Sequence, residues 1–407
     1  MMFRRLAILY VLASATVHGQ TVRDSAGVRI VSYAQSATAK TNWQIVVKAL
    51  IEIGGASGVG PTELTDVWGV ARTATGGVVL SDGATQQLRV FDANGRYVRT
   101  MGRKGDGPGE FTQIRHVAIH GDTVIGLDDT RGTAAFAMDG KLLRQAPFPS
   151  LSPYHAVDPW GVMADGRTIE GAAPRETMAM LQQVGTRIQM RGLFAIASNG
   201  RSAKLLDSFP TYEYYRAASD PPGGDDVAFA PTGSVAVFGT RICVGRGVRY
   251  EVRCMNAAGV TQQIIRRDVA AVPVTEAARD AHRKGRSMLP AGNQEGHNVS
   301  QATLDQLAAK TRFATNFPAY ARILAGKNDE LWVSDYSYDS AMRGPGKQPT
   351  PKEVLHWNVF ARDGDWIGSI DLPARFVLME AGRDYVLGIN RDEDGVERVT
   401  MYRMTRN

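Results

Sequence analysis

Two turn glycines recur at a fixed interval. Gly76 and Gly95 in one stretch are answered by Gly121 and Gly140 in the next, 45 residues further on in both cases. An interval of about 40–50 residues is the spacing of units that each supply one small sheet and cannot bury it alone. The unit is clearest over 66–111, where four apolar runs (67–71, 78–80, 88–91 and 97–101) are separated by turns rich in Gly, Asp and Asn. Runs of this length and composition read as strands. Asn94-Gly95 suits a type I′ hairpin turn, whose two central residues both need positive φ. One four-stranded antiparallel sheet buries both faces only when copies of it are set around an axis.

The same order of runs and turns returns along the chain. In a second unit, 114–141, Ala135-Phe136-Ala137-Met138-Asp139-Gly140-Lys141 answers Val90-Phe91-Asp92-Ala93-Asn94-Gly95-Arg96. A third begins near His155 and carries an insertion around 174–191; a fourth runs over 227–265. The fifth, 318–370, repeats Ser81-Asp82 as Ser334-Asp335 and the hairpin turn as Asp363-Gly364. The sixth, 376–403, holds three strands, and the strand-like run 43–53 precedes the first unit with no partner of its own. Pairing the two would close the ring and remove its open edges. The predicted fold is therefore all-β: a six-bladed β-propeller of four-stranded antiparallel blades, one domain over 42–407, closed by an N-terminal strand. The stretch 272–316 breaks the β pattern. Thr275 opens a capped helix start, and Leu304, Leu307, Ala308 and Thr311 recur at helical spacing, so a helical insertion is expected between blades four and five. Residues 20–41 read as a polar leader and 340–352 as a long loop.

Arg4-Arg5, the apolar run 6–15 and small residues up to Gly19 have the layout of a signal peptide over 1–19, too short to anchor in a bilayer. The protein is thus expected to be exported, to the periplasm or beyond the cell, with no transmembrane segment in the mature chain. Export permits a disulfide between the two cysteines, Cys243 and Cys254, which flank a hairpin. Lys and Arg total 47 against 41 Asp and Glu, a net charge of +6 without any basic run, so nucleic acid is not an expected partner.

The segment VFDANGRYVRTMGRKGDGPGEF resembles the NHL-type repeat, in which a V-F-D-x-x-G hairpin precedes G-x-x-G-x-G-P-G-x-F. The later FPAY, LWVSDY and WNVFARDGDWIGSIDLP, with DSAGVRIV at 24–31, are similar to exported bacterial six-bladed propellers of the NHL and TolB-like groups. The resemblance implies a fold and a compartment; those groups share no single activity.

Candidate site residues fall in two sets. Asp82, Asp128 and Asp335 follow the second strand of their units, where a ring of carboxylates could hold Ca²⁺; alternatively each accepts backbone N–H groups in its own turn. Tyr212, Tyr214, Tyr215 and Arg216, read as part of a long connection, could line the mouth of the central channel with His155, Tyr320 and Arg322. Neither a zinc-binding histidine spacing nor a nucleophile elbow occurs, so no catalytic residue is assigned. The expectation is a monomeric, cofactor-free binding scaffold for a protein, peptide or small ligand. The rival is a metal-dependent lactonase- or lyase-like enzyme with its site at the channel.

Overall fold

The computed structural model describes residues 19–176, 178–220, 222–287, 292–294, 297–337 and 352–406. The expected signal peptide and most of the 340–352 loop lie outside the described residues.

Alternating apolar residues between glycine turns fold into small antiparallel sheets. The first consists of Val67–Arg72, Val78–Asp82, Gln87–Phe91 and Tyr97–Met101, the second of Ile114–His120, Thr123–Asp128, Gly132–Ala137 and Leu142–Ala146. The third contains Tyr154–Val162, Thr168–Pro174, Gly185–Ile196 and Ala203–Arg216, with Asp225–Asp226 at its edge. The fourth contains Ser234–Val237, Arg241–Gly245, Glu251–Asn256 and Thr261–Arg267. Here the sequence reading differs: 227–229 is no strand, and Arg241–Gly245 is the second strand it lacked. The fifth sheet is Arg322–Ala325, Leu331–Ser334, Leu355–Phe360 and Trp366–Leu372; the sixth is Phe376–Ala381, Tyr385–Arg391 and Glu397–Thr405. The first strand of each sheet packs against the first strands of the sheets before and after it, and that of the sixth meets that of the first. These inner strands surround an axis.

Residues 20–54 wrap the outer edges of three sheets. The stretch read as a polar leader contains a hairpin, Gln20–Ser25 with Val28–Tyr33, whose second strand pairs in parallel with Thr261–Arg267 of the fourth sheet. Tyr33 donates its hydroxyl to the carbonyl of Gly364 (2.8 Å) and accepts from the Trp366 N–H (2.7 Å). The strand Asn42–Gly54 then meets the fifth sheet at Ser369 and Ile370 and pairs along Glu397–Thr405 as the fourth strand of the sixth. Trp43 is buried there with Trp332 and Trp357, and Ile51 and Ile53 with Leu80, Tyr385 and Val399.

The core lies in the seams between sheets. Between the fourth and fifth, Tyr250, Tyr320, Phe360 and Trp366 pack together. The seam between the second and third sheets is thinner. It buries Ile125, Leu127 and Ala135, with a second small cluster around Phe194. Between the last strand of the fourth sheet and the first of the fifth lie helices Glu276–Ser287 and Gln301–Lys310. Ser300 caps the second by accepting from the Thr303 N–H (3.1 Å). No helix among the described residues is long and apolar enough to cross a membrane.

Cys243 and Cys254 form a disulfide between directly opposed residues of the second and third strands of the fourth sheet. The bond spans 11 residues, and cross-linking so short a loop limits the unfolded chain by about 3 kcal/mol. The Cys243→Ala/Cys254→Ala double variant should therefore melt lower than the oxidised protein in calorimetry. An unchanged Tm would mean that the bond constrains nothing the sheet does not already fix.

Candidate functional site

The thin seam between the second and third sheets holds a polar cluster in place of an apolar core. At its centre is Glu170, 0% exposed, in the second strand of the third sheet. Glu170 stands four residues after the turn glycine Gly166, as Leu80 stands four after Gly76. A carboxyl group therefore occupies the place of a core leucine. Neither of its oxygens has a hydrogen bond of acceptable geometry; the Thr168 hydroxyl, on the same face of the strand, is the nearest help. Burial pushes the carboxyl up to about 8, a shift that Thr168 reduces and the charge of Asp129 adds to. Glu170 is thus an uncharged acid at neutral pH. Next to it, Trp160 lies over Gly171, where an added Cβ would fall 2.5 Å from the indole nitrogen.

Asp129 links this cluster to the surface. Its Oδ2 accepts from Arg115 Nε at 2.8 Å, while its Oδ1 is buried and unpaired. Burial raises Asp129 to about 6 against the pull of Arg115, and the neighbouring Asp128 adds to the rise. The Arg115 guanidinium lies 3.8 Å from the centre of the Trp68 ring, a close cation–π contact. Arg115 and Trp68 line a cleft of about 320 Å³ with Asp66, Gln86, Gln113 and Thr130, between the first and second sheets. The terminal nitrogens of Arg115 make no hydrogen bond among the described residues.

On the other side of Asp129, Arg191 forms an ion pair with Asp158 and lies 5.8 Å from the Tyr212 ring centre. Arg187 pairs with Glu176 and lies 5.0 Å from the Tyr214 ring centre. Tyr212 and Tyr214 are therefore drawn toward the cluster, but from a strand. The stretch expected to be a connection is the end of Ala203–Arg216, in a ribbon with Gly185–Ile196 that continues beyond the rest of the sheet. Tyr215 holds Arg312 of the helical segment at 4.5 Å, and Arg216 donates to the Gln182 carbonyl (2.8 Å).

The remaining candidates are scattered. His155 is exposed at the start of the inner strand Tyr154–Val162. Tyr320 is 1% exposed, stacked edge-on against Tyr250 and bonded through its hydroxyl to the Glu251 carbonyl (3.0 Å), so it belongs to the core and not to a channel mouth. Arg322 opens the inner strand of the fifth sheet and reaches the Leu378 carbonyl on the inner strand of the sixth (2.6 Å).

The three aspartates do not converge. Asp82 accepts from the N–H groups of Ala84 and Thr85 and pairs with Arg89 at 2.9 Å. Asp128 accepts from Thr112, Gln113, Thr130 and Arg131 N–H groups. Burial alone would raise Asp128, and these bonds hold it below the usual carboxylate range. Asp335 is raised by burial and accepts from Asn358 Nδ2 at 3.0 Å. Among the described residues no three or more His, Cys, Asp or Glu side chains come together as a metal site. At Asp82 and Asp128 the carboxylates serve their own turns, the alternative the sequence offered to a Ca²⁺ ring.

Residues 71–152 match the profile of a family described as "6-bladed beta-propeller". A member of the DUF4221 family from Bacteroides vulgatus superposes with a TM-score of 0.52 at 10% identity, over 90% of this chain and 100% of that one. A protein from Bacteroides fragilis gives 0.47 at 11% identity (93% and 99%), and a gluconolactonase from Xanthomonas campestris 0.40 at 10% (84% and 87%). No curated protein matches in sequence. The chain has the fold of the bacterial β-propellers; likeness at these identities shows the fold alone.

Proposed function

We propose that this protein is an exported, non-catalytic binding module of the NHL-like kind. In this reading it is a six-bladed propeller closed by the strand Asn42–Gly54, with the two helices inserted between blades four and five. It binds a small polar ligand in the cleft beneath Trp68 and Arg115. One observation supports this above the others: Arg115 is held from below by Asp129 and flanked by Trp68, yet keeps its terminal nitrogens free at a cleft of ligand size. The N-terminal arginines and apolar run support export. A metal-dependent lactonase or lyase would need a converging ligand set, which the described residues lack. Glu170 and Asp129 hold their protons more tightly than ordinary carboxyls, as proton-transfer groups can, but Glu170 has no surface with which to touch a substrate.

The test is a tryptophan-fluorescence titration against a panel of mono- and oligosaccharides and dipeptides, on the mature protein and on Trp68→Phe and Arg115→Gln. A ligand of the cleft should quench the parent protein. Arg115→Gln should weaken it about tenfold or more through loss of a charge-assisted hydrogen bond. Equal affinity in both variants would remove the cleft as the site, and consumption of the bound compound would replace the binding reading with an enzymatic one.

A further inference from the structure

The axis of the ring carries positive charge that the protein does not neutralise. In the first, second and fifth sheets the inner-strand residue opposite the position just before the terminal aspartate is defined by pairing: Gly69 opposite Ser81, His116 opposite Leu127 and Arg322 opposite Ser334. His116 and Arg322 thus stand at one level of the ring. The cyclic contact of the inner strands puts the second and fifth sheets on opposite sides of the axis. On the first sheet that level carries only Gly69, where a Cβ would approach the Val117 N–H at 3.0 Å. His116 and Arg322 keep a little accessible surface although they lie deep among the inner strands.

The acids that could compensate these cations are occupied. Glu380, on the inner strand of the sixth sheet, pairs with Lys327 at 3.0 Å and accepts from the Tyr385 hydroxyl at 2.6 Å. Asp158, on that of the third, pairs with Arg191. The Arg322 side chain is left with one hydrogen bond, from Nη1 to the Leu378 carbonyl at 2.6 Å, and no carboxylate among the described residues. Burial lowers Arg322 to about 10 with no acid opposing it. Burial, with the charges of Lys327 and Arg322, lowers His116 to about 4. The His116 imidazole makes no hydrogen bond among the described residues. An enclosed guanidinium without a counter-charge costs several kcal/mol, and a bound anion would offset that cost.

We propose that the axial channel binds a small anion, a carboxylate or an oxyanion such as phosphate, held by Arg322 and His116. The anion would sit between the inner strands at the level of His116 and Arg322, accepting from the guanidinium nitrogens of Arg322 and from the imidazole. Bound there, it stabilises the protonated ring, so His116 titrates at higher pH in its presence. This site is separate from the Trp68–Arg115 cleft, and neither stands or falls with the other.

The experiment uses the mature protein at constant ionic strength set with chloride. Inorganic phosphate, sulfate, acetate and citrate are titrated in turn, following Tm and the His116 imidazole resonances by NMR. At least one of them should raise Tm saturably and move the His116 titration upward from about 4. Response to phosphate and sulfate alone would mark an oxyanion ligand, and response to acetate or citrate alone a carboxylate. Arg322→Gln and His116→Gln should each weaken binding about tenfold or more. If Arg322→Gln does not fold, His116→Gln and the titration of the parent protein decide. No shift with any of the four anions, or equal shifts in the folded variants, would overturn the proposal.

Discussion

Replacing Glu170 with glutamine should remove the largest single loss of stability expected as pH rises from about 4.5 to about 8. The sign follows from the direction of the shift. Folding raises this carboxyl from its ordinary 4.5 to about 8, so the folded state holds the proton more tightly than the unfolded chain does. Its contribution is complete below pH 4.5 and is lost as pH climbs through the folded value. At about 1.4 kcal/mol per unit, the swing is on the order of 5 kcal/mol. Glutamine cannot ionise, although its buried amide costs about 1–3 kcal/mol at every pH. The slope is therefore the quantity to read. Urea unfolding at half-unit intervals from pH 4.5 to 9 should give a curve that falls more steeply with pH for the parent than for Glu170→Gln, both curves carrying the opposite contribution of the buried His116 and His282, which favours folding as pH climbs to about 6.5. A residual fall below pH 6 comes from Asp129, which burial raises to about 6. The carboxyls that hydrogen bonds depress, such as Asp92 and Asp165, act in the opposite sense and at lower pH, where carboxylates ordinarily titrate. Glu170→Leu, which restores the residue of the first sheet, should raise stability at pH 8 outright. Identical slopes in parent and glutamine variant would mean that Glu170 is not the buried acid described above.

Removing residues 20–54 should leave no stable monomer. The sixth sheet would keep three strands, with the edge of Glu397–Thr405 unpaired along its length. Trp43, Ile51 and Ile53 would leave two seams at once, and deletion of one large core side chain costs about 2–5 kcal/mol. Set against a typical total of about 5–15 kcal/mol, the loss is decisive. The bare edge would also invite pairing between molecules. Adding a peptide of residues 42–54 should restore cooperative melting by strand addition. Removing the hairpin alone, residues 20–34, should cost less, because the closing strand stays in place. A truncated protein that remains monomeric and melts as the parent does would show that the ring closes without its N-terminal strand.

The contrast between what sequence made visible and what it hid follows from local chemistry. The sheets were legible because their turns need particular residues: Gly76, Gly95, Gly121 and Gly140 all take positive φ. The closing strand was legible as an apolar run beside a unit short of one strand. Residues 212–216, read as part of a long connection, lie in a strand that contains Pro210. The structure admits Pro210 beside a register shift at Ile188/Met190, where the ladder is already interrupted. Tyr212 and Tyr214 alternate as strand residues should, which was the signal to weigh instead. Glu170 was visible only by aligning Gly166 with Gly76, since a lone glutamate in the poorly repeated third unit has no distinction of its own. Arg115 and Trp68 meet across two sheets, and no spacing along the chain announces that contact.

The hydrogen bond between Thr405 and Gln44 joins residues 361 apart. In a chain made from the N-terminus, the segment that locks the ring is made before the six sheets and must wait for the last of them. Every partly made chain is therefore an open arc with a free strand at one end and an unmade partner at the other. Maturation is then limited by the completion of synthesis, and the interval before the ends meet is when holding factors are needed most.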